Sequence, residues 1–195
     1  MAKQLDDFLL IAELQQRKES AFRYLVEAYQ SKVFNTVLSI VQDMQEAEDV
    51  SQEVFIEVYE SVQGFRGESK VSTWIYRIAT TKALENYRKH HAQKRFAFLT
   101  SLFGDNNEVV HHSVDFEHPG VKLENKEQAK ILFREINKLP ENQKVAFTLC
   151  NIEGLSYQEI SEVMQTSLGS VESLIFRAKT NLRKYLGDYY KKNYE

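Results

Sequence analysis

Cysteine, proline and glycine are scarce in this 195-residue chain, which holds one Cys, two Pro and seven Gly. A lone Cys150 builds no internal disulfide framework, so a reducing compartment is expected, with a bridge between two copies as the minor alternative. Few glycines and prolines exclude a turn-rich β-sandwich and a glycine-looped nucleotide fold, because both need many positive-φ positions and sharp turns. Long apolar runs are missing too. Phe8-Leu9-Leu10-Ile11-Ala12 falls far short of the roughly 18–20 residues that span a bilayer. Asp6 and Asp7 precede it where a secretory signal would be basic, so the chain reads as cytoplasmic, with no membrane insertion.

The usual marks of an enzyme are absent as well: no phosphate-cradling glycine loop, no nucleophile elbow and no His-Glu-x-x-His. Glu48 and Asp49 are adjacent on a helical stretch, point about 100° apart, and make no acid/base pair. His90, His91, His111, His112 and His118 cluster in or beside a loop-like segment without a cysteine near, which reads as incidental rather than as a metal site. No cofactor or metal is expected.

What the chain has is helical periodicity. With 43% hydrophobic and 12% aromatic residues it can build a core, and its length suits one domain or two of roughly 70–90 residues. From Leu5 to about His91 apolar residues recur at three and four. Ala47, Val50, Val54, Val58 and Val62 form one stripe, reinforced by Phe55 and Tyr59. Gly64 and Gly67 bracket a short loop, and Val71, Trp74, Ile75, Ile78 and Ala79 begin a further helix running to about Lys89. Between about Ala92 and Asn125 the period fades, and Gly104-Asp105-Asn106-Asn107 and His118-Pro119-Gly120 signal loops. Helical pattern returns from Leu123 to Tyr190, punctuated by Leu139-Pro140, Gly154, Gly169 and Gly187. The expected fold is all-α: two small helical domains, 1–91 and 125–195, joined by a flexible linker over 92–124.

Charge is arranged in blocks. The whole chain carries 25 Lys and Arg against 28 Asp and Glu, a net of −3. Residues 42–68 hold eight acids against Arg66, a local −7; residues 69–95 hold seven bases against Glu85, +6; residues 177–192 hold six bases against Asp188, +5. A chain polarised this way has one face for a basic protein surface and others for phosphates.

Near the C-terminus, Ser156-Tyr157-Gln158-Glu159 fits a capping box and predicts a helix start at Ser156. Ile160, Val163 and Met164 face inward, the pattern breaks at Gln165-Thr166-Ser167, and it restarts at about Leu168 with Val171, Leu174, Ile175 and Ala178 inside. Two short helices joined by a tight turn match a helix-turn-helix, although a plain helical hairpin shows the same pattern. In the former, Ser167, Ser170, Glu172, Ser173 and Arg177 face DNA, with Lys179, Arg183 and Lys184 near the backbone.

These pieces, in this order, resemble the extracytoplasmic-function group of the bacterial sigma-seventy family. Ala47-Glu48-Asp49-Val50-Ser51-Gln52-Glu53-Val54-Phe55 resembles region 2.2. Phe65-Arg66-Gly67 and Ser72-Thr73-Trp74-Ile75-Tyr76-Arg77-Ile78-Ala79 resemble regions 2.3 and 2.4. Leu139-Pro140, Gly154-Leu155-Ser156-Tyr157-Gln158-Glu159-Ile160, Val171-Glu172-Ser173 and Phe176-Arg177-Ala178 resemble region 4. The resemblance covers two thirds to three quarters of the chain. It implies a factor that binds core RNA polymerase, on the clamp helices of β′ and on the β subunit, and directs promoter recognition and melting, under the control of an anti-sigma factor.

The resemblance also implies site residues. Glu46, Asp49, Gln52, Glu53, Phe55 and Glu57 would meet the polymerase through an acidic stripe beside the apolar one, although acidic stripes are usually solvated helix faces. Phe65, Arg66, Lys70, Arg77, Thr81, Lys82 and Arg88 would bind and open the −10 element, with Phe65 or Trp74 stacking on a base and Trp74 reading rather as core support beside Ile75. Ser167, Ser170, Glu172, Ser173, Phe176, Arg177 and Lys179 would read the −35 element. Thr80-Thr81 stands where the family commonly has Arg-Asn, Glu85 where it has aspartate, and Glu172 and Leu174 flank Ser173 where bases are frequent. Glu172 can accept from cytosine N4. A stand-alone helix-turn-helix regulator is the alternative, but it has no use for the acidic helix; a helical adaptor without DNA has none for the basic blocks.

Overall fold

The computed structural model describes residues 7–103 and 126–194, with side chains over 7–93, over 130–189 and at Lys191. Eight helices stand among the described residues, and no strand. They are α1 (Asp7–Gln15), α2 (Glu19–Val41), α3 (Met44–Ser61), α4 (Val71–Phe103), α5 (Lys126–Asn137), α6 (Glu141–Asn151), α7 (Tyr157–Met164) and α8 (Leu168–Tyr194), with a 3-10 turn at Val62–Gly64.

The apolar spacing sets which faces close. In α3, Ala47, Val50, Val54 and Val58 are buried as their period requires, against α2 and α4. Asp43 caps that helix, its Oδ1 accepting from the Glu46 amide at 2.9 Å. In α4, Val71, Ile75, Ala79 and Ala83 form one buried stripe, while Thr73, Tyr76 and Thr80 are buried on adjoining positions. Helix α4 is therefore covered on more than one side: α2 and α3 pack on it, and so does α7 from the C-terminal half.

Two ends differ from the periodicity. Helix α4 runs on to Phe103 rather than stopping near Lys89, because residues 90–103 contain no glycine or proline to break it. Helix α8 passes through Gly187, whose cost of about 1 kcal/mol does not end a helix otherwise well formed. The loop signals at 104–107 and 118–120, with His111, His112 and His118, lie outside the described residues.

One buried cluster runs across both halves, from Leu10, Leu25, Val37 and Val54 to Phe133, Leu149, Ile160 and Ile175. A smaller one, Ile136, Leu139, Ala178 and Leu182, closes α5 against α8. Between the halves α2 meets α5 and α6, and α4 meets α7. Gln42, which ends α2 in the left-handed conformation at φ 60°, sends its Nε2 to the Phe133 carbonyl oxygen at 2.7 Å.

Candidate functional site

Three surfaces carry the charged and aromatic residues singled out by the sequence. On α3 the buried stripe turns Asp49, Gln52, Glu53 and Glu60 outward, all exposed. Ile56 stands among them with 57% of its surface exposed, an apolar centre to an acidic face. The periodic pattern does not mark Ile56, because it lies two positions from both Val54 and Val58, on the side of the helix away from the core stripe. Glu57 and Glu46 sit at the margins, Glu57 reached by Lys82 at 3.6 Å and Glu46 by His90 Nδ1 at 2.7 Å. Phe55 is half-buried and lines, with Gln52, Glu48 and Phe34, a groove of about 450 Å³ between α2 and α3.

The second surface begins where α3 ends. Gly67 holds φ +72° in the loop between the 3-10 turn and α4, a conformation that other residues rarely adopt. Phe65 and Trp74 meet with ring centroids 4.8 Å apart. Together with Ser61, Arg66, Ser69 and Arg77 they line a recess of about 440 Å³. Trp74 packs on the core with one side and opens to this recess with the other, so the reading of it as core support holds for only part of its surface. Arg66 lies exposed at the rim, its nearest carboxylate Glu68 at 4.0 Å.

The other cations of this surface are engaged. Lys70 donates to Glu159 at 2.9 Å, Arg77 to the Glu162 carbonyl oxygen at 2.8 Å, and Arg88 through Nε and Nη2 to Glu141 Oε2 at 2.8 and 2.7 Å. Thr81 and Glu85 stay exposed on the same helix. Lysine 70 and its partner shift each other: Glu159 falls to about 2, held there by the Lys70 ammonium and by the amide and hydroxyl of Ser156, and Lys70 rises. These partners lie 53 to 89 residues away along the chain, where no local pattern points to them.

The third surface is the helix-turn-helix. Ser156 caps α7 with both bonds of the capping box present: its Oγ takes the Glu159 amide, and the Glu159 carboxylate takes the Ser156 amide. Gln165 closes α7 at φ 51°, and Ser167 Oγ accepts from the Ser170 amide at 3.2 Å at the start of α8. Ser167 thus serves the helix end. Burying Val171, Ile175 and Ala178 turns Glu172, Ser173, Phe176 and Arg177 outward. Phe176 is 71% exposed, an apolar ring on an otherwise polar face, and Leu168, two turns earlier at the helix start, is 43% exposed. Ser173 Oγ is turned back to the Gly169 carbonyl oxygen at 2.9 Å, Ser170 and Lys179 are half-buried, and Arg183 and Lys184 continue the face in solvent.

Comparison with known proteins identifies the family of the chain. Residues 25–93 match the family described as Sigma-70 region 2, and residues 129–182 the one described as Sigma-70, region 4. The chain is 38% identical over 179 residues to the ECF RNA polymerase sigma-E factor of Haemophilus influenzae, covering 92% of this chain and 94% of that one. It is 36% identical over 186 residues to the RNA polymerase sigma-H factor of Pseudomonas aeruginosa, covering 95% and 96%. Among solved structures, CnrH in complex with the cytosolic domain of CnrY shares the fold, with a TM-score of 0.69, 21% identity and coverage of 93% and 97%. The sigma factor RpoE in complex with the anti-sigma factor NepR from Bartonella quintana also shares it, at a TM-score of 0.63, 18% identity and coverage of 85% and 96%.

Proposed function

Since the chain belongs to the extracytoplasmic-function group of the sigma-70 family and is an RNA polymerase sigma factor that directs promoter recognition, we propose how its residues divide that work. The α3 face of Asp49, Gln52, Glu53 and Ile56, with Glu46, Phe55 and Glu57 at its edges, docks on the β′ clamp helices. Acids steer the approach, and Ile56 supplies the apolar contact at the centre. Phe65 and Trp74 form the walls that receive a base drawn out of the −10 duplex, while Arg66, Lys70, Arg77 and Arg88 take the phosphates of the displaced strand and Thr81 and Lys82 extend that track. On α8, Glu172, Ser173 and Phe176 face base edges of the −35 element, with Arg177 and Lys179 toward its phosphates and Ser167 and Ser170 ordering the helix start.

The single observation that carries this reading is the aromatic pair lining a recess that Arg66 and Arg77 share with Glu68, because a factor that only bound duplex DNA would have no use for it. Residues 1–91 then form the polymerase-binding and melting domain, 125–195 the −35 domain, and 92–124 the connection. The chain carries no catalytic group of its own; nucleotide addition belongs to the polymerase. It works in the cytoplasm, and its release is governed by an anti-sigma factor that holds both halves.

The test is reconstitution. Core polymerase plus this chain starts transcripts at promoters bearing a −35 and a −10 element, and sequencing their 5′ ends yields both motifs. Binding to an operator unaffected by polymerase, with no transcript from any promoter, would instead make the chain a stand-alone regulator.

A further inference from the structure

Of the residues that α8 turns outward, Glu172 is the one whose chemistry commits to a base. It is the fifth residue of the helix, it is exposed, and its carboxylate makes no ion pair or hydrogen bond among the described residues. Its neighbours on the helix surface stand three and four positions away. They are Leu168, Gly169, Ile175 and Phe176, and none is basic. Arg177, five positions on, points about 140° away around the axis, and Lys179, the first base on the same line, is about 10 Å further along it.

The turn around Glu172 therefore shows acceptors and an apolar ring. Ser173 adds no donor, because its hydroxyl proton goes to the Gly169 carbonyl oxygen at 2.9 Å and only lone pairs remain. Phe176, one turn on, is 71% exposed.

The major groove answers such a surface selectively. Cytosine offers its N4 amino donor there, adenine offers N6 beside the N7 acceptor, and guanine and thymine offer acceptors alone, thymine with its methyl group. A carboxylate with no cation beside it accepts from cytosine, is opposed by N7 on adenine, and is repelled by O6 and N7 on guanine. The Phe176 ring suits the thymine methyl. Side chains four apart stand about 5–6 Å from each other and successive base pairs about 3.4 Å, so the two side chains meet base pairs one or two steps apart.

We propose that Glu172 and Phe176 are specificity-determining residues: Glu172 selects a cytosine in the −35 element and rejects guanine there, and Phe176 selects a thymine one or two base pairs from it. The proposal rests on the placement of α8 on the −35 element made above.

The test uses holoenzyme made from core polymerase and the full chain. It transcribes a promoter library randomised through the −35 and −10 regions, each promoter marked by a barcode in its transcript. One −35 position should hold cytosine, favoured over guanine by about tenfold. At that position Glu172→Gln should change the preference to adenine, read through N6 and N7, and Glu172→Arg to guanine, read through O6 and N7, while the other positions keep their bases. A residue that only supported the helix would not move the preference at one position. Since Glu172 is exposed, neither variant disturbs the core.

Deoxyuridine in place of the neighbouring thymine removes the methyl group alone. It should weaken promoter binding about fourfold for the unaltered holoenzyme and leave Phe176→Ala holoenzyme unaffected; equal weakening in both would remove Phe176 from the proposal. Guanine favoured at the Glu172 position by the unaltered chain, or a −35 motif that neither Glu172 variant changes, overturns the proposal and leaves α8 on the −35 element. Absence of enrichment at every −35 position removes that role of α8, and the proposal with it.

Discussion

Helices α3 and α4 lie side by side in the same half, and the contrast between them is the most informative feature of the molecule. Both bury an apolar stripe into a shared core, and both carry charge on what remains. On α3, Asp49, Glu53 and Glu60 stand in solvent around an exposed Ile56. On α4 and the loop before it, three of the cations are met by carboxylates or a carbonyl of the C-terminal half. Exposure and pairing, rather than charge alone, separate a surface ready for a partner from one already occupied.

The sharpest way to break this contrast is to reverse the open surface. Asp49→Lys combined with Glu53→Lys should abolish assembly with core polymerase in a pull-down while helical circular dichroism stays unchanged; retained assembly would mean that α3 is not the docking face. On the third surface, Arg177→Ala should weaken −35 duplex binding by about ten- to a hundredfold, and the dependence of affinity on salt should become shallower by about one unit in the log–log slope. An unchanged slope would place Arg177 away from phosphate.

Smaller effects sharpen the seam between the halves. Burial pushes the Lys144 ammonium down to about 8, against the pull of Glu141 in the other direction. Between pH 8 and about 10 the unfolded chain keeps that proton and the folded chain does not, so stability rises with pH across this window. Above it the buried Tyr76, whose phenol is raised well beyond its ordinary value of 10.0, reverses the trend, because the unfolded tyrosine ionises first. Denaturation midpoints at pH 7, 8 and 9 should therefore climb, and Lys144→Met should flatten the climb. The least effect is expected from Ser156→Ala, which removes the cap of α7 and should cost about 1 kcal/mol in urea unfolding.

Much of the architecture was legible in the sequence because it is local. The stripe of Ala47, Val50, Val54 and Val58, the capping box at Ser156 and the break at Gln165 each follow from residues within one or two turns, and each stands in the structure where the spacing puts it. The ends of α4 and α8 were less so, since a fading period does not end a helix that meets no breaker. Two features of the candidate site were hidden for a different reason. Ile56 sits off the core stripe, where hydrophobicity looks incidental until its exposure is known. The partners of Lys70, Arg77 and Arg88 depend on how two distant halves meet, which the charge blocks hint at and no spacing specifies.

One titration tests the contrast most directly. A labelled single-stranded −10 oligonucleotide is titrated with the free chain and with the chain plus core polymerase, with core plus the Asp49→Lys, Glu53→Lys chain as the blank. The account predicts weak binding by the free chain and at least about tenfold tighter binding by the holoenzyme over that blank. Free chain that binds the strand as tightly as holoenzyme would contradict it.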